Sequence, residues 1–546
     1  MRAASFKSIE ENSQPSSLFT YPGHQDFDST ISDTGTHFYD RNLTSRRYAL
    51  VGVACSSIFS CLCIIAGVLT LAKHGILGVT RLPYLVVDMD DGSNTRRLSL
   101  QGQILTLILD LIVTLCTESV GFVHGISLRS ALASESRLHF NTNLRLLTAA
   151  RGWHNPNGAL LNGISAILLI VSYSLPSLIV CPDVREILQV SSEDDSISES
   201  HWQEGLAIAG LPLLMLGVVL LLQVMVALSG MRAANILTWS SSPFDLTAAL
   251  VHHTQLTPAT FRCMRPVSDI NIYEGPAKPP ETQPSPWHAH PSIRKVIIFL
   301  WVIVAACVGW AALVMCIWDL FGGFDSPQLI LQTWSFFHNE KSNYIIYALP
   351  YVGPEWWILL FVNIVMVQGP LTLGLHCSEL ITNVIRDERQ WRCATGRKGL
   401  RVATNPLKSV LTDPICLILF ISKPFLHWMF GLSFSTADDA VNERLGGVAV
   451  VMFTAQIWNL CIGLFVFACF FTFIALRRPC GPQPAAYGHL QTLANLVDEW
   501  SPVMWWGHKE DGILYCHAGT SDHPLPDVKM DCVYAGSGAG PSVPVS

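Results

Sequence analysis

Four polar side chains stand inside long apolar runs: Asp110 and Glu118 in LTLILDLIVTLCTESVGFVHG, Asn363 in ILLFVNIVMVQG and Lys423 in ICLILFISKPFLHWMF. An ionisable group at membrane depth is costly to hold, so each marks a candidate site and calls for a partner. Counted at about 1.5 Å of helix rise per residue, Asp110 and Lys423 reach comparable depths. They are expected to pair, either as a lock or as part of an ion or proton path with Glu118. Asn363 falls at nearly the same level on a later run.

A second set lies where apolar runs give way to basic sequence. HGISLRSALASESRLHFNTNLRLL begins at His124, and HCSELITNVIRDERQWRCATGRKGLR begins 252 positions later at His376. The register places Arg137 over Arg389 and Arg145 over Arg397. Arginine suits bidentate contact with phosphate or carboxylate, so these six residues are candidates for an anion site at a cytoplasmic mouth. The plainer reading is a surface helix whose arginines meet lipid phosphate. His124, Glu118 and His376 lack an HExxH-like spacing and do not read as a zinc hydrolase.

The C-terminal stretch holds a third set, His508, Cys516, His517, His523 and Cys532, with Trp500, Trp505 and Trp506. Zinc modules space paired ligands two to five residues apart. This spacing is irregular, so no metal and no cofactor are expected, and the tryptophans are expected to dock the tail on the membrane or under a helical bundle.

The elements that must position these groups follow from hydropathy. Half of the 546 residues are hydrophobic and 14% are charged, and the mean hydropathy is +0.37. Crossing a hydrocarbon core takes roughly 20 apolar residues. Eight runs qualify, near 48–72, 103–125, 158–180, 206–229, 296–318, 356–376, 411–432 and 448–474. Basic residues gather in the loops after runs two, four and six and beside both termini, whereas CPDVREILQVSSEDDSISESHWQE carries seven acids against one Arg. By the positive-inside rule both termini are expected in the cytoplasm. No signal peptide precedes the first run. Nine of the sixteen cysteines fall inside runs and six on the cytoplasmic side, so no disulfide is expected. The net charge of -7 carries no basic stripe for nucleic acid.

The shared register continues past the arginines. Asn155-Pro156 and Asn405-Pro406 each precede the next run, and Ser172 with Pro176 matches Ser422 with Pro424. Runs four and eight each lead through basic residues and a Pro-bearing turn to a Leu-Val pair, Leu250-Val251 and Leu496-Val497. The pattern is that of a duplication. Four runs per half make the repeat parallel, with its axis along the membrane normal.

TWSSSPFDLTAAL, ESRLHFNTNLRLLT and PAAYGHLQTLANLVDEW, followed by WWGHK and CHAGTS, resemble a family of fungal multi-pass integral membrane proteins to which no activity is assigned. The resemblance covers runs two to eight and the tail, and implies membrane insertion without naming a substrate or catalytic residue.

The expectation is therefore an all-α integral membrane protein with eight transmembrane helices in two parallel four-helix repeats. Residues 1–47 form a polar cytoplasmic arm, 48–255 the first repeat, 256–293 a Pro-rich cytoplasmic linker, 294–478 the second repeat, and 479–546 a cytoplasmic tail with an amphipathic helix and Trp cluster. The favoured function is transporter-like or channel-like passage of an ion or small solute at the repeat interface, in a plasma membrane or endomembrane. The alternative is a scaffold or sensor that recruits cytoplasmic proteins through its tails. No P-loop is present, and an enzyme is the less favoured reading.

Overall fold

The computed structural model describes residues 43–536 apart from 76–77, 89–91, 142–145, 147, 189–199, 260, 270–274, 322–333, 339–341, 350–355, 403–410 and 439–447. Its helices are α1 (Leu43–His74), α2 (Gly92–Ser134), α3 (Ala159–Ser174), α4 (Gly210–Ala233), α5 (Pro243–His252), α6 (Pro291–Phe321), α7 (Trp356–Cys377), α8 (Glu379–Arg392), α9 (Pro414–Ser433), α10 (Thr454–Leu476) and α11 (Leu490–Leu496), with several shorter turns between. Among the described residues, seven helices are long and apolar enough to cross a membrane. The chain is a mostly helical, multi-pass integral membrane protein. Ile58, Leu62, Ile65 and Leu69 of α1 and Ile462, Phe465, Val466 and Phe473 of α10 face outward, as lipid contact requires.

The third expected span differs from the other seven. Its helix stops at Ser174 after 16 residues, and a separate turn follows over Pro176–Ile179. Proline has no N–H to donate and crowds the preceding turn, so the run breaks at Leu175. The first residues of the expected fourth and eighth spans are strands instead.

Those strands belong to two small sheets at the bundle end remote from the C-terminal tail. One joins β1 (Val79–Asp88), β2 (Val180–Leu188) and β3 (Ser200–Ala209) in the order β1-β3-β2; the other joins β4 (Tyr344–Leu349), β6 (Phe434–Asp438) and β7 (Val448–Phe453) in the order β4-β7-β6. All four pairings are antiparallel. The helix-only expectation omitted them. The two sheets share a strand order, and α1 packs on α4 as α6 packs on α10, whereas the broad contact of α2 with α4 has no counterpart of like extent between α7 and α10. Between halves, α2 packs on α9 and α3 on α7, so the second helix of each half meets the third of the other.

At the tail end, the helix expected to run on past His124 stops at Ser134. Arg137 N–H donates to the Leu132 carbonyl and Ser136 N–H to that of Ala133, with Ser136 at φ 54°. This double closure with one left-handed residue satisfies the last carbonyls and ends the helix. In contrast, α7 passes through Ser378, itself helical, into α8 with little interruption.

The linker and tail fold together beneath the bundle. Gln283 exchanges bonds with Pro479, Gly481 and Ala485, and β5 (Leu400–Arg401), β8 (Val503–Glu510) and β9 (His517–Ser521) form a third sheet. Trp391 of α8 is fully buried against Phe244 and Trp506, and its indole N–H donates to Pro484 O at 2.8 Å. Helix α5, which carries Leu250-Val251, touches α11, which ends at Leu496 just before Val497.

Candidate functional site

Where α2 meets α7, α8 and α9, a cavity of about 200 Å3 is lined by Glu118, Glu379, Lys423, Arg129, Arg386 and Asn141 among others. A smaller one of about 40 Å3 adjoins it through Gly121, Glu379 and Asn383, and includes His124 and His376. Glu118 and Arg129 are eleven residues apart on one helix, so the larger cavity extends about 16 Å along the bundle.

Lys423 is the hub. Its ammonium donates to Glu118 Oε1 and Glu379 Oε1, each at 2.5 Å, and its side chain is 2% exposed. His376 Nδ1 lies 2.9 Å from Glu379 Oε1 and 3.8 Å from Glu118 Oε1. Helix α9 brings Lys423 here because Asp413 caps its start, accepting from Ile415 and Cys416 N–H, with Pro414 in the first turn. Pro424 follows at once and leaves the Phe420 carbonyl without its helical donor. Glu118, His376 and Glu379 are spaced closely enough to hold a metal ion, but the ammonium already sits among them. The group is a one-cation, two-carboxylate cluster.

The expected partnership of Asp110 with Lys423 is not formed. Asp110 is 2% exposed and lies eight residues, about 12 Å, before Glu118 on α2; its side chain makes no hydrogen bond or ion pair among the described residues. Asn363 lies on the exposed face of α7, whereas Asp110 is buried. The depth argument held for both helices, but depth along an axis does not say which way a side chain faces.

Between Asp110 and the Lys423 cluster lies a polar layer that sequence reasoning missed. Tyr173 OH bonds Thr117 and Thr114 at 3.1 and 3.2 Å, and its ring stacks on His427 with centroids 4.2 Å apart. Gln368 Nε2 donates to Tyr173 O at 2.8 Å and meets His427 Nδ1 at 2.9 Å. His376 Nε2, His427 Nε2 and Gln368 Oε1 are buried and have no partner among the described residues.

The expected arginines are not those of the cavity. Arg137 pairs with Glu135 and the Ala149 carbonyl, Arg389 with Asp413 at 2.7 Å, and Arg397 is exposed. Arg145 lies outside the described residues. Arg129 and Arg386 line the cavity instead. Arg129 holds Asn141 Oδ1 and Ser240 O at 2.7 and 2.6 Å; Asn141 in turn donates to Asp387 of the other half at 2.9 Å. Glu135 accepts from Arg137 and from Arg151 N–H.

No protein-family model, curated protein or solved structure matches the chain.

The five tail residues divide. His517 Nε2 bonds Asp498 at 2.8 Å. Burial alone would lower the His517 ring, but the carboxylate and the Cys263 thiol outweigh it and hold it up to about 10. Burial likewise opposes the Asp498 shift, yet His517, Thr520 N–H and Lys509 bring it down to about 2. His523 is exposed beside Asp522. His508, Asp511 and Cys516 come together, with Tyr534 bonded to His508 and Cys532 near Cys516. Elsewhere under the bundle, burial lowers His290 and His489, which flank Phe140, to about 4.

Proposed function

We propose that the chain is a transporter-like membrane protein that passes a small polar solute or ion between two duplicated halves, 48–255 and 294–478. The tail end faces the cytoplasm in this reading, with both termini inside. What carries it is the Lys423–Glu118–Glu379 cluster at the floor of a cavity between α2 and α9. A bundle that served only as a support would gain more from apolar packing there, since a buried ion pair rarely improves on well-packed apolar side chains.

The unpartnered polar atoms of His376, His427 and Gln368 continue the line beyond the floor toward Asp110. Each forgoes a hydrogen bond worth about 1 kcal/mol or more when buried, which suits a path that water or solute fills during passage. In this reading the cavity communicates with the tail end, and the Tyr173–His427 stack closes the other side. Pro424 beside Lys423 weakens α9 at the level where a rearrangement would occur.

The test is thiol labelling of single cysteines in a variant lacking Cys416 and the exposed native cysteines. Asn383→Cys should react with a membrane-impermeant reagent from the tail side, and Gln368→Cys should be protected at rest. Flux of ions and small zwitterions in proteoliposomes then identifies the cargo. Absence of labelling at Asn383→Cys in folded, inserted protein would overturn the reading and leave a scaffold or sensor acting through its tail.

A further inference from the structure

The tail assembles a ligand set that its sequence spacing conceals. His508 and Asp511 flank the end of β8, Cys516 immediately precedes β9, and Cys532 lies in the segment that returns through Tyr534, which is paired with Cys516. One ligand atom from each of His508, Asp511 and Cys516 lies within 4.8 Å of the others. His508 Nε2 is 3.2 Å from Asp511 Oδ1, and Cys516 Sγ is 3.5 Å from the same oxygen. The Cys532 thiol stands near that of Cys516 but outside the mutual 4.8 Å grouping of the other three, so a small closing movement of its segment brings it in as the fourth ligand.

We propose that His508, Asp511, Cys516 and Cys532 form a zinc site that staples the β8–β9 hairpin to the C-terminal segment. In a tetrahedral zinc centre, Zn–N and Zn–O bonds of about 2.0 Å and Zn–S bonds of about 2.3 Å set neighbouring ligand atoms roughly 3.3 to 3.5 Å apart, and two thiolates about 3.8 Å apart. The His508–Asp511 and Cys516–Asp511 separations already match those edges. Two thiolates, an imidazole and a carboxylate are the donor classes zinc takes.

The surroundings hold these donors in position. His508 Nδ1 is bonded to Tyr534 OH at 2.9 Å, which directs Nε2 at the site, the usual outer bond of a metal-bound histidine. Lys529 reaches both Asp511 oxygens at 2.6 Å. With zinc on Oδ1, the ammonium keeps Oδ2 and serves the same orienting purpose. His517 and His523 are excluded because each is engaged elsewhere, His517 by Asp498 and His523 by Asp522.

The full-length protein, purified in detergent under reducing conditions, should bind one equivalent of zinc in competition with a chromophoric chelator. Cobalt loading of the same protein should give the intense near-ultraviolet band of thiolate-to-metal charge transfer, which requires no variant. His508→Ala, Cys516→Ser and Cys532→Ser should each weaken zinc binding at least tenfold, and His523→Ala should leave it unchanged. Wild-type protein without a tight equivalent, a cobalt spectrum without the thiolate band, or equal loss in His523→Ala would overturn the site. So would recovery of Cys516 and Cys532 as a disulfide in freshly purified protein.

Discussion

Lys423 of α9 and Glu118 of α2 meet at 2.5 Å across the boundary between the two halves, and Glu379 of α8 shares the same ammonium. Removing the cation leaves two carboxylates facing each other in a partly buried site. Lys423→Ala should therefore destabilise the protein by about 3 kcal/mol, the low end for breaking a buried pair, because both glutamates keep some exposure. Lys423→Met with Glu118→Gln and Glu379→Gln removes all three charges and should recover most of the loss. Thermal unfolding in detergent measures both. A triple variant no more stable than Lys423→Ala would show that repulsion between the carboxylates is not the source of the cost.

Asp110 is the contrasting case, a buried carboxyl group with no partner among the described residues. Asp110→Asn should change stability by no more than about 1 kcal/mol, because no bond is lost. Paired with Lys423→Ala in a double-mutant cycle, it should show a coupling under about 0.5 kcal/mol, as for separate sites. A larger coupling would restore the direct partnership that depth along the helices first suggested.

Much of this architecture is legible in the sequence because the bilayer imposes its own period. Apolar runs reveal the long helices, and Glu118, His376 and Lys423 stand out as polar residues at or inside their ends. Glu379 was missed although it follows His376 by one helical turn. The reason is that basic residues further on made 376 look like the end of the membrane helix, whereas Ser378 lets α7 run into α8. Tyr173, His427 and Gln368 carry no charge at first glance, so hydropathy passes over them. The tail set was hidden for a different reason: a hairpin and a returning segment bring 508, 511, 516 and 532 together, and no local spacing records that. Strands β3 and β7 were hidden because they lead straight into apolar runs.

The tail is stitched to both halves, and Gly488 is where the stitching is tightest. Its φ is +71°, and a Cβ there would lie 2.7 Å from Asp387 Oδ2, while its carbonyl accepts from Asn141 N–H. Gly488→Ala combines left-handed strain of about 1 to 2 kcal/mol with that collision. It should loosen the tail, as should Trp391→Ala, which empties a large buried site at a cost of about 3 to 5 kcal/mol. Limited proteolysis should release C-terminal fragments sooner from both variants while the membrane helices remain intact. Unchanged digestion would separate the tail from the Asn141–Asp387 network.

The Asp498–His517 pair makes the tail's hold depend on pH. His517 is raised from its ordinary value of 6.5 to about 10, so its contribution is full below about 6.5 and fades as pH climbs toward 10. Asp498 is lowered from 3.8 to about 2; its contribution is full above about 3.8 and fades as pH falls toward 2. The pair therefore stabilises the tail most between about pH 4 and 6.5, and progressively less on the alkaline side. Tail release measured by proteolysis should accelerate severalfold between pH 7 and 9.5 in wild-type protein, after correction for the protease's own pH profile. In His517→Gln the tail should be weaker at pH 7 and its release nearly flat over that range. A wild-type slope that survives in His517→Gln would assign the alkaline loosening to another group.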